Sequence, residues 1–226
     1  MKQFVKFTIA IPCYKQAQYL SGAIESAIDQ TYADIEIILV NDGSPDNTTE
    51  IAERYPVKIV NQVNKGLSSA RNAAIMNATG DYFLPLDADD LLEPTCVETM
   101  ARVARETDAD IIAPSLTEFG ECQGATVILK PNPTIEDFKV GNHIPYASAI
   151  KMSALREIGG YSPRMTWGYE DYHLWFDLLK RGKKLVTIPE PLLRYRIKAH
   201  SMIHDANAHR DELMAQIKTD HPEIFT

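Results

Sequence analysis

The chain has 226 residues, 45% hydrophobic and 24% charged, enough to bury the core of one substantial domain. Its net charge of −8 argues against nucleic acid as the main partner, because phosphate backbones are held by Lys and Arg stripes that this chain lacks. Three cysteines, Cys13, Cys96 and Cys122, without CxxC spacing, argue against a disulfide framework or a structural zinc site and fit a reducing, cytoplasmic setting.

Phe7 to Pro12 is a short β-branched run stopped by proline, which predicts a buried first strand. Leu20, Ala23, Ile24, Ala27 and Ile28 recur at helical spacing and predict an amphipathic helix ending near Gln30. Ile35 to Val40 is a second strand, delivering the turn-rich Asn41 to Thr48, with a helix to Tyr55 behind it. Val57 to Val63 is a third strand. Leu67, Ala70, Ala74, Ile75 and Ala78 mark the next helix, for which Gly80 is the expected closing glycine. A fourth strand ends in Asp87, Asp89 and Asp90, and a helix from about Glu93 to Thr107 follows. Such alternation predicts an α/β fold, with a Rossmann-like, doubly wound, mostly parallel sheet.

Beyond residue 110 the pattern changes. Short strands are expected over Ile111 to Lys130, a polar loop over Pro131 to Tyr146, and a strand at Ala147 to Met152. A short helix follows at Ala154 to Ile158, then a glycine- and aromatic-bearing loop over Tyr161 to Glu170. Asp171 to Arg181 reads as a helix with Trp175 in the core. Two late strands, Leu185 to Ile188 and Leu192 to Arg196, precede a helix over about Asp205 to Lys218. No stretch approaches the roughly 18 apolar residues of a membrane span, so no transmembrane span is expected, while peripheral association with a membrane stays open.

The chemistry gathers at strand ends. Tyr14 and Lys15, Asp42, Asn64 and Lys65, and Asp87 and Asp89 all fall at one edge of the predicted sheet, the expected construction of a nucleotide site. Carboxylates as close as Asp87 and Asp89 suit a hard divalent ion, Mn²⁺ or Mg²⁺; the alternative is a solvated Asp-rich turn before a helix. Neither GxGxxG nor GxxxxGK[ST] occurs, so metal rather than a glycine-rich loop is expected to hold any phosphates. A second constellation, Trp167 to Tyr172, puts Asp171 where a helix begins and an ionised carboxylate is favoured; the alternative is that Asp171 or Glu170 only caps that helix.

The ordered set of Ile11-Pro12-Cys13-Tyr14, Val40 to Asp46, Asn64-Lys65-Gly66, Ala70-Arg71-Asn72, Leu86 to Asp90, Glu170-Asp171 with Trp175, and Tyr195-Arg196 resembles family 2 of the inverting glycosyltransferases, which have the GT-A fold. The resemblance covers about residues 7 to 201. It implies a nucleotide-sugar-binding half over 1–110, and an acceptor-binding and catalytic-base half of the same domain over 111–226. Pro12, Tyr14, Asp42, Asn64, Arg71 and Asp87 are implied to bind the nucleotide of a uridine-diphosphate sugar, and Asp89, with His200, its metal. Asp171 is implied as the general base, with Glu170 and Trp167 near a carbohydrate or lipid-linked acceptor. Lys15 departs from the family's frequent asparagine. The motif and membrane helices of processive synthases are missing, which favours single transfer. Two other functions share parts of this pattern: a nucleotidyltransferase, expected to carry a glycine-rich loop where Pro12-Cys13-Tyr14 stands, and a non-catalytic nucleotide-sugar-binding module, which has no need of Asp171.

Overall fold

The computed structural model describes residues 5–121, 124–199 and 201–225. Strand β1 (Phe7–Cys13) is buried along its whole length, as a central parallel strand covered on both faces must be. Helix α1 (Ala17–Ile28) follows, burying Leu20, Ala23, Ile24 and Ala27. The alternation continues with β2 (Ile35–Asp42), α2 (Thr48–Ala52), β3 (Lys58–Gln62), α3 (Leu67–Asn77) and β4 (Tyr82–Pro85). β1 pairs in parallel with β2 on one side and β4 on the other, and β3 lies outside β2. The chain therefore reverses its direction of winding at β1 and β4, and the crevice beyond their carboxyl ends is where such sheets bind ligands.

The second half adds β5 (Leu91–Leu92), α4 (Cys96–Thr107), β6 (Ile111–Gly120), β7 (Thr126–Val127), α5 (Ile135–Phe138), β8 (Ala149–Lys151) and α6 (Met152–Ile158). It ends with α7 (Glu170–Leu179), β9 (Leu185–Ile197), α8 (Met202–Ala208) and α9 (Arg210–Asp220). One sheet spans both halves in the order β3-β2-β1-β4-β8-β6-β9-β5, with β7 beside β6. β8 runs antiparallel between β4 and β6, while β6 and β9 are parallel. One core cluster packs α1, α2 and α4 on one face of this sheet; the other packs α3, α6, α7 and α9 on the opposite face. Among the described residues no helix is long and apolar enough to cross a membrane.

Several elements differ from the sequence expectation: the helix expected over about Asp205 to Lys218 is two, α8 and α9, meeting at His209, and α5 lies inside the expected polar loop. The short strands expected after Ile111 begin as one ten-residue strand, β6. The two late strands are one, because the register steps from Pro114↔Ile188 to Ser115↔Pro191 and leaves Pro189 and Glu190 as a bulge. Gly80 does not close α3, which ends at Asn77 with Ala78 already extended. Its role is close approach: a Cβ there would lie 2.6 Å from Thr8 Oγ1 and 2.7 Å from Thr8 N, where β4 meets β1.

Candidate functional site

Every strand of the parallel half delivers a polar group to the same crevice. A cavity of about 320 Å³ is lined by Pro12 and Tyr14 after β1, Asp42 at the end of β2, Asn64 after β3, and Asp87 and Asp89 after β4. These are all of the nucleotide and metal residues expected from sequence except Arg71 and His200. His200 lies outside the described residues.

Asp42 is buried and holds the wall of this cavity together. Its Oδ1 accepts from the Lys65 amide (2.9 Å) and Gln62 Nε2 (2.7 Å), and its Oδ2 accepts from the Gly66 amide (2.9 Å). The neighbouring turn requires glycine. Gly43 has a φ of +67°, and a Cβ on it would stand 2.7 Å from the Asn64 amide nitrogen.

The acids after β4 each have a distinct environment. Asp87 Oδ1 accepts from Arg71 (2.8 Å), yet burial pushes its carboxyl up to about 6. Asp90 is buried, accepting from the Tyr146 hydroxyl (2.6 Å) and the Arg196 amide (2.6 Å). Burial, reinforced by the charges of Asp87 and Asp89, raises its pKa well above the usual carboxylate range. Asp89 pairs with the ammonium of Lys198.

Arg71, expected at the base or diphosphate, is not at the cavity surface. Its guanidinium is fully enclosed between the rings of Tyr146 and Tyr161, 5.1 and 5.2 Å from their centroids. From α3 it reaches Asp87 on one side and Glu170 (2.5 Å) at the start of α7 on the other. Glu170, expected near an acceptor, is likewise buried and spends its carboxylate on that pair, although it borders the second cavity. The physical reason for both differences is the same: two acids facing one crevice need a cation between them.

That second cavity, of about 310 Å³, contains Asp171, Asn142, Tyr169, Tyr172 and Arg210. Asp87, Leu67, Tyr195, Met202 and Ile203 line both cavities, so the two adjoin. Asp171 sits in the first turn of α7, whose start is set by Gly168 at φ +125° and Tyr169 at φ +59°. A Cβ on Gly168 would lie 2.9 Å from the Ala206 Cβ, so α8 can close against this turn only over glycine. Asp171 Oδ1 accepts from the Tyr172 amide (2.7 Å), and Oδ2 from Asn142 Nδ2 (2.9 Å). Burial, and then the charge of Glu170, pushes its carboxyl up to about 7 against the pull of Arg71. A carboxylate that gains a proton near neutrality is suited to general-base work.

Trp167 lines neither cavity and stacks on His209, with ring centroids 4.4 Å apart and planes 11° from parallel. Trp175 is fully buried. Tyr146, Asn142 and Lys198 carry no mark in the sequence that assigns them to this site. Tyr146 and Asn142 come from a loop with no periodic signal, and Lys198 from just beyond a strand.

The donor set at Asp87 and Asp89 is hard oxygen, which fits Mg²⁺ or Mn²⁺ held by one carboxylate together with substrate phosphates. A separate cluster of His173, Asp177 and His221 brings potential ligand atoms within 4.8 Å of one another. There the Lys180 ammonium already sits 2.8 Å from His221 Nδ1 and 3.4 Å from Asp177 Oδ1, supplying the positive charge itself.

Against known proteins, residues 8–167 match the family described as Glycosyl transferase family 2. An uncharacterized glycosyltransferase of Rickettsia typhi is 31% identical over 212 residues, 88% of this chain and 64% of that protein. Glycosyltransferase GlyA of Streptococcus pneumoniae is 38% identical over 124 residues, 53% of this chain but 18% of its own. The chain thus spans less than two thirds of the length of these curated relatives. S. aureus TarS 1-349, solved in complex with UDP-GlcNAc, superposes with a TM-score of 0.80 at 18% identity, covering 95% of this chain and 66% of that one. A mannosyltransferase from Pyrobaculum calidifontis, solved with GDP-Man and Mn²⁺, gives 0.73 at 18% identity, over 98% and 65%. The expected GT-A fold is thereby established, and with a family match across most of its length the chain belongs to glycosyl transferase family 2.

Proposed function

We propose that the protein moves a sugar from a nucleoside-diphosphate sugar, uridine-linked by resemblance, onto a hydroxyl of a carbohydrate or lipid-linked acceptor in one inverting displacement. The observation that carries this reading is the junction of two cavities at Asp87 and Tyr195, one bordered by Asp42 and Asp89 and the other by Asp171. A donor lying in the first would present its anomeric carbon towards an acceptor in the second. The nucleotide sugars named for the TarS and mannosyltransferase structures support the donor class.

In this mechanism Pro12 and Tyr14 wall the base, and Asp42 borders it while holding the loop at Lys65 and Gly66. Asp87, fixed by Arg71, borders the junction of the cavities. Asp171 accepts the acceptor hydroxyl's proton as that oxygen attacks; Asn142 and the Tyr172 amide fix the orientation of its carboxylate. A divalent ion held by Asp89 would supply Lewis-acid stabilisation of the negative charge on the leaving diphosphate. The free thiols of Cys13 and Cys96, both buried, suit a cytoplasmic site of action.

The test is a panel of nucleotide sugars scored for free nucleoside diphosphate with and without EDTA. Release from a UDP-sugar that stops with chelator and returns with Mn²⁺ is the expected result. Donor binding without turnover would favour a binding module, and nucleotide-sugar synthesis from a nucleoside triphosphate would favour a nucleotidyltransferase.

A further inference from the structure

Each of the three acids after β4 has its own partner, and the partner of Asp89 differs in kind from the others. Asp87 is held by the enclosed Arg71, and Asp90 by the buried Tyr146 phenol and the backbone amide of Arg196 in β9. Asp89 is held by Lys198, at the free end of a flexible four-carbon stem, and both side chains border the donor cavity. Only 14% of the Lys198 side chain and 16% of that of Asp89 are exposed, so the pair is largely shielded from solvent screening.

The backbone around the pair is anchored. Arg196 Nε donates to the Asp89 carbonyl (2.7 Å), the Arg196 amide donates to Asp90, and the Arg196 guanidinium lies over Phe119 and Tyr19, 4.3 and 4.5 Å from their centroids. The end of β9 is therefore clamped to the acidic loop, and the ammonium two residues on is directed at Asp89, with Tyr19 5.4 Å from it. What can move is the lysine side chain.

We propose that Lys198 is an internal cation that occupies the metal position on Asp89 until the donor arrives, so that divalent ion and nucleotide bind as a unit; this rests on the reading of Asp89 as the metal carboxylate. The physical case is exclusion. An ammonium in contact with Asp89 and a divalent ion on the same carboxylate repel across a shielded gap, so either one weakens the other. A diphosphate changes the balance. It brings oxygen ligands for the ion and negative charge for the displaced ammonium, so Lys198 exchanges Asp89 for a phosphate oxygen. Without nucleotide, the protein alone holds the ion weakly; with nucleotide, both cations are satisfied. Lys198 is thus a positioning residue for the donor diphosphate as well as a competitor for the bare site.

The experiment measures Mn²⁺ binding by electron paramagnetic resonance on wild type, Lys198→Met and Lys198→Arg, first alone and then with UDP, and UDP affinity by calorimetry with and without Mn²⁺. Lys198→Met is expected to bind Mn²⁺ alone roughly tenfold more tightly than wild type and to bind UDP in Mn²⁺ roughly tenfold more weakly, the size of an ordinary coupling between sites. Lys198→Arg, which keeps the charge, stays near wild type for Mn²⁺ alone. Should the methionine variant fail to fold, Lys198→Gln takes its place with the same expectation. Equal Mn²⁺ affinity in wild type and the neutral variant overturns the proposal while leaving the metal reading intact, provided wild-type UDP binding responds to Mn²⁺. Wild-type UDP binding indifferent to Mn²⁺ overturns both.

Discussion

Asn142 Nδ2 lies 2.9 Å from Asp171 Oδ2, and this amide donor, from the loop after α5, stabilises the ionised form of a carboxyl whose burial disfavours ionisation. Asn142→Ala removes a donor to a charge, so the Asp171 pKa moves further up from about 7. The acid limb of the kcat profile is expected to shift towards alkaline pH by up to about one unit, with kcat at neutral pH reduced and the affinity for UDP unchanged. Rate–pH profiles of the two proteins check it, and superimposable profiles would remove Asn142 from the machinery.

Asp171→Asn separates turnover from binding. On the proposed mechanism the base is lost, while the cavity bordered by Asp42, Asp87 and Asp89 is untouched. Turnover is expected to fall by about 10²–10⁴, with UDP affinity in Mn²⁺ within about twofold of wild type. Single-turnover assays and calorimetry read the two quantities separately, and a variant that retains full rate assigns the proton to another group.

The same substitution bears on stability. The folded-state pKa of Asp171, about 7, lies above the ordinary value of 3.8, so folding favours its protonated form. Its contribution to stability is complete below pH 3.8 and is lost as pH rises through about 7. Asp171→Asn is therefore expected to melt at a higher temperature than wild type at pH 8, by a margin that disappears towards pH 4. Melting curves across that range test the sign. An inactive variant with a higher Tm would identify Asp171 as a group retained for chemistry at the expense of stability.

How far the sequence reveals this site depends on how local each signal is. Pro12, Asp42, Asn64 and Asp87 each follow a run of apolar strand residues, and once strand ends share an edge their convergence follows from the topology alone. Tyr146 carries no such mark: it meets Asp90 across 56 residues, from a stretch that reads only as polar loop. Contacts of Arg196 with Asp89 and Asp90, across more than a hundred residues, are equally silent in any local window. In the sequence Arg71 is legible as a cation but not as a buried one, because its enclosure depends on two acids and two rings from later in the chain. Strand β9 reads as two strands in the sequence because Pro189 and Pro191 act as breakers locally, while the pairing with β6 tolerates them at a bulge.

Arg71 should be a stability residue first. Replacing it with methionine leaves the buried Glu170, beside the half-buried Asp87, without its cation, and breaking a buried pair such as Arg71–Glu170 typically costs about 3–5 kcal/mol. Part of that cost is relieved when Asp87, at about 6, takes up a proton. Urea midpoints of Arg71→Met are expected to fall well below wild type at pH 8, with a smaller deficit at pH 5. A deficit that does not depend on pH would assign the loss to packing between Tyr146 and Tyr161 rather than to charge.

Gly80→Ala tests the corrected role of that glycine and, through it, the placement of the acidic loop. If Gly80 merely closed a helix, alanine would be a mild change, since Gly80 is not among the positive-φ glycines. Because the new methyl would lie 2.6–2.7 Å from atoms of Thr8, β4 must instead separate from β1 at its start. Overpacking of this kind costs about 1–3 kcal/mol, and it also lengthens the bond from the Gly80 amide to Thr8 Oγ1, now 3.1 Å. The displacement travels along β4, a strand of only four residues, before Asp87. Gly80→Ala is therefore expected to lower the urea midpoint and to weaken UDP binding in Mn²⁺ together, although residue 80 lies at the opposite end of the strand from the donor cavity. Loss of stability with unchanged UDP affinity would show that the loop carrying Asp87 and Asp89 is held by Arg71, Tyr146 and Arg196 independently of the strand that delivers it.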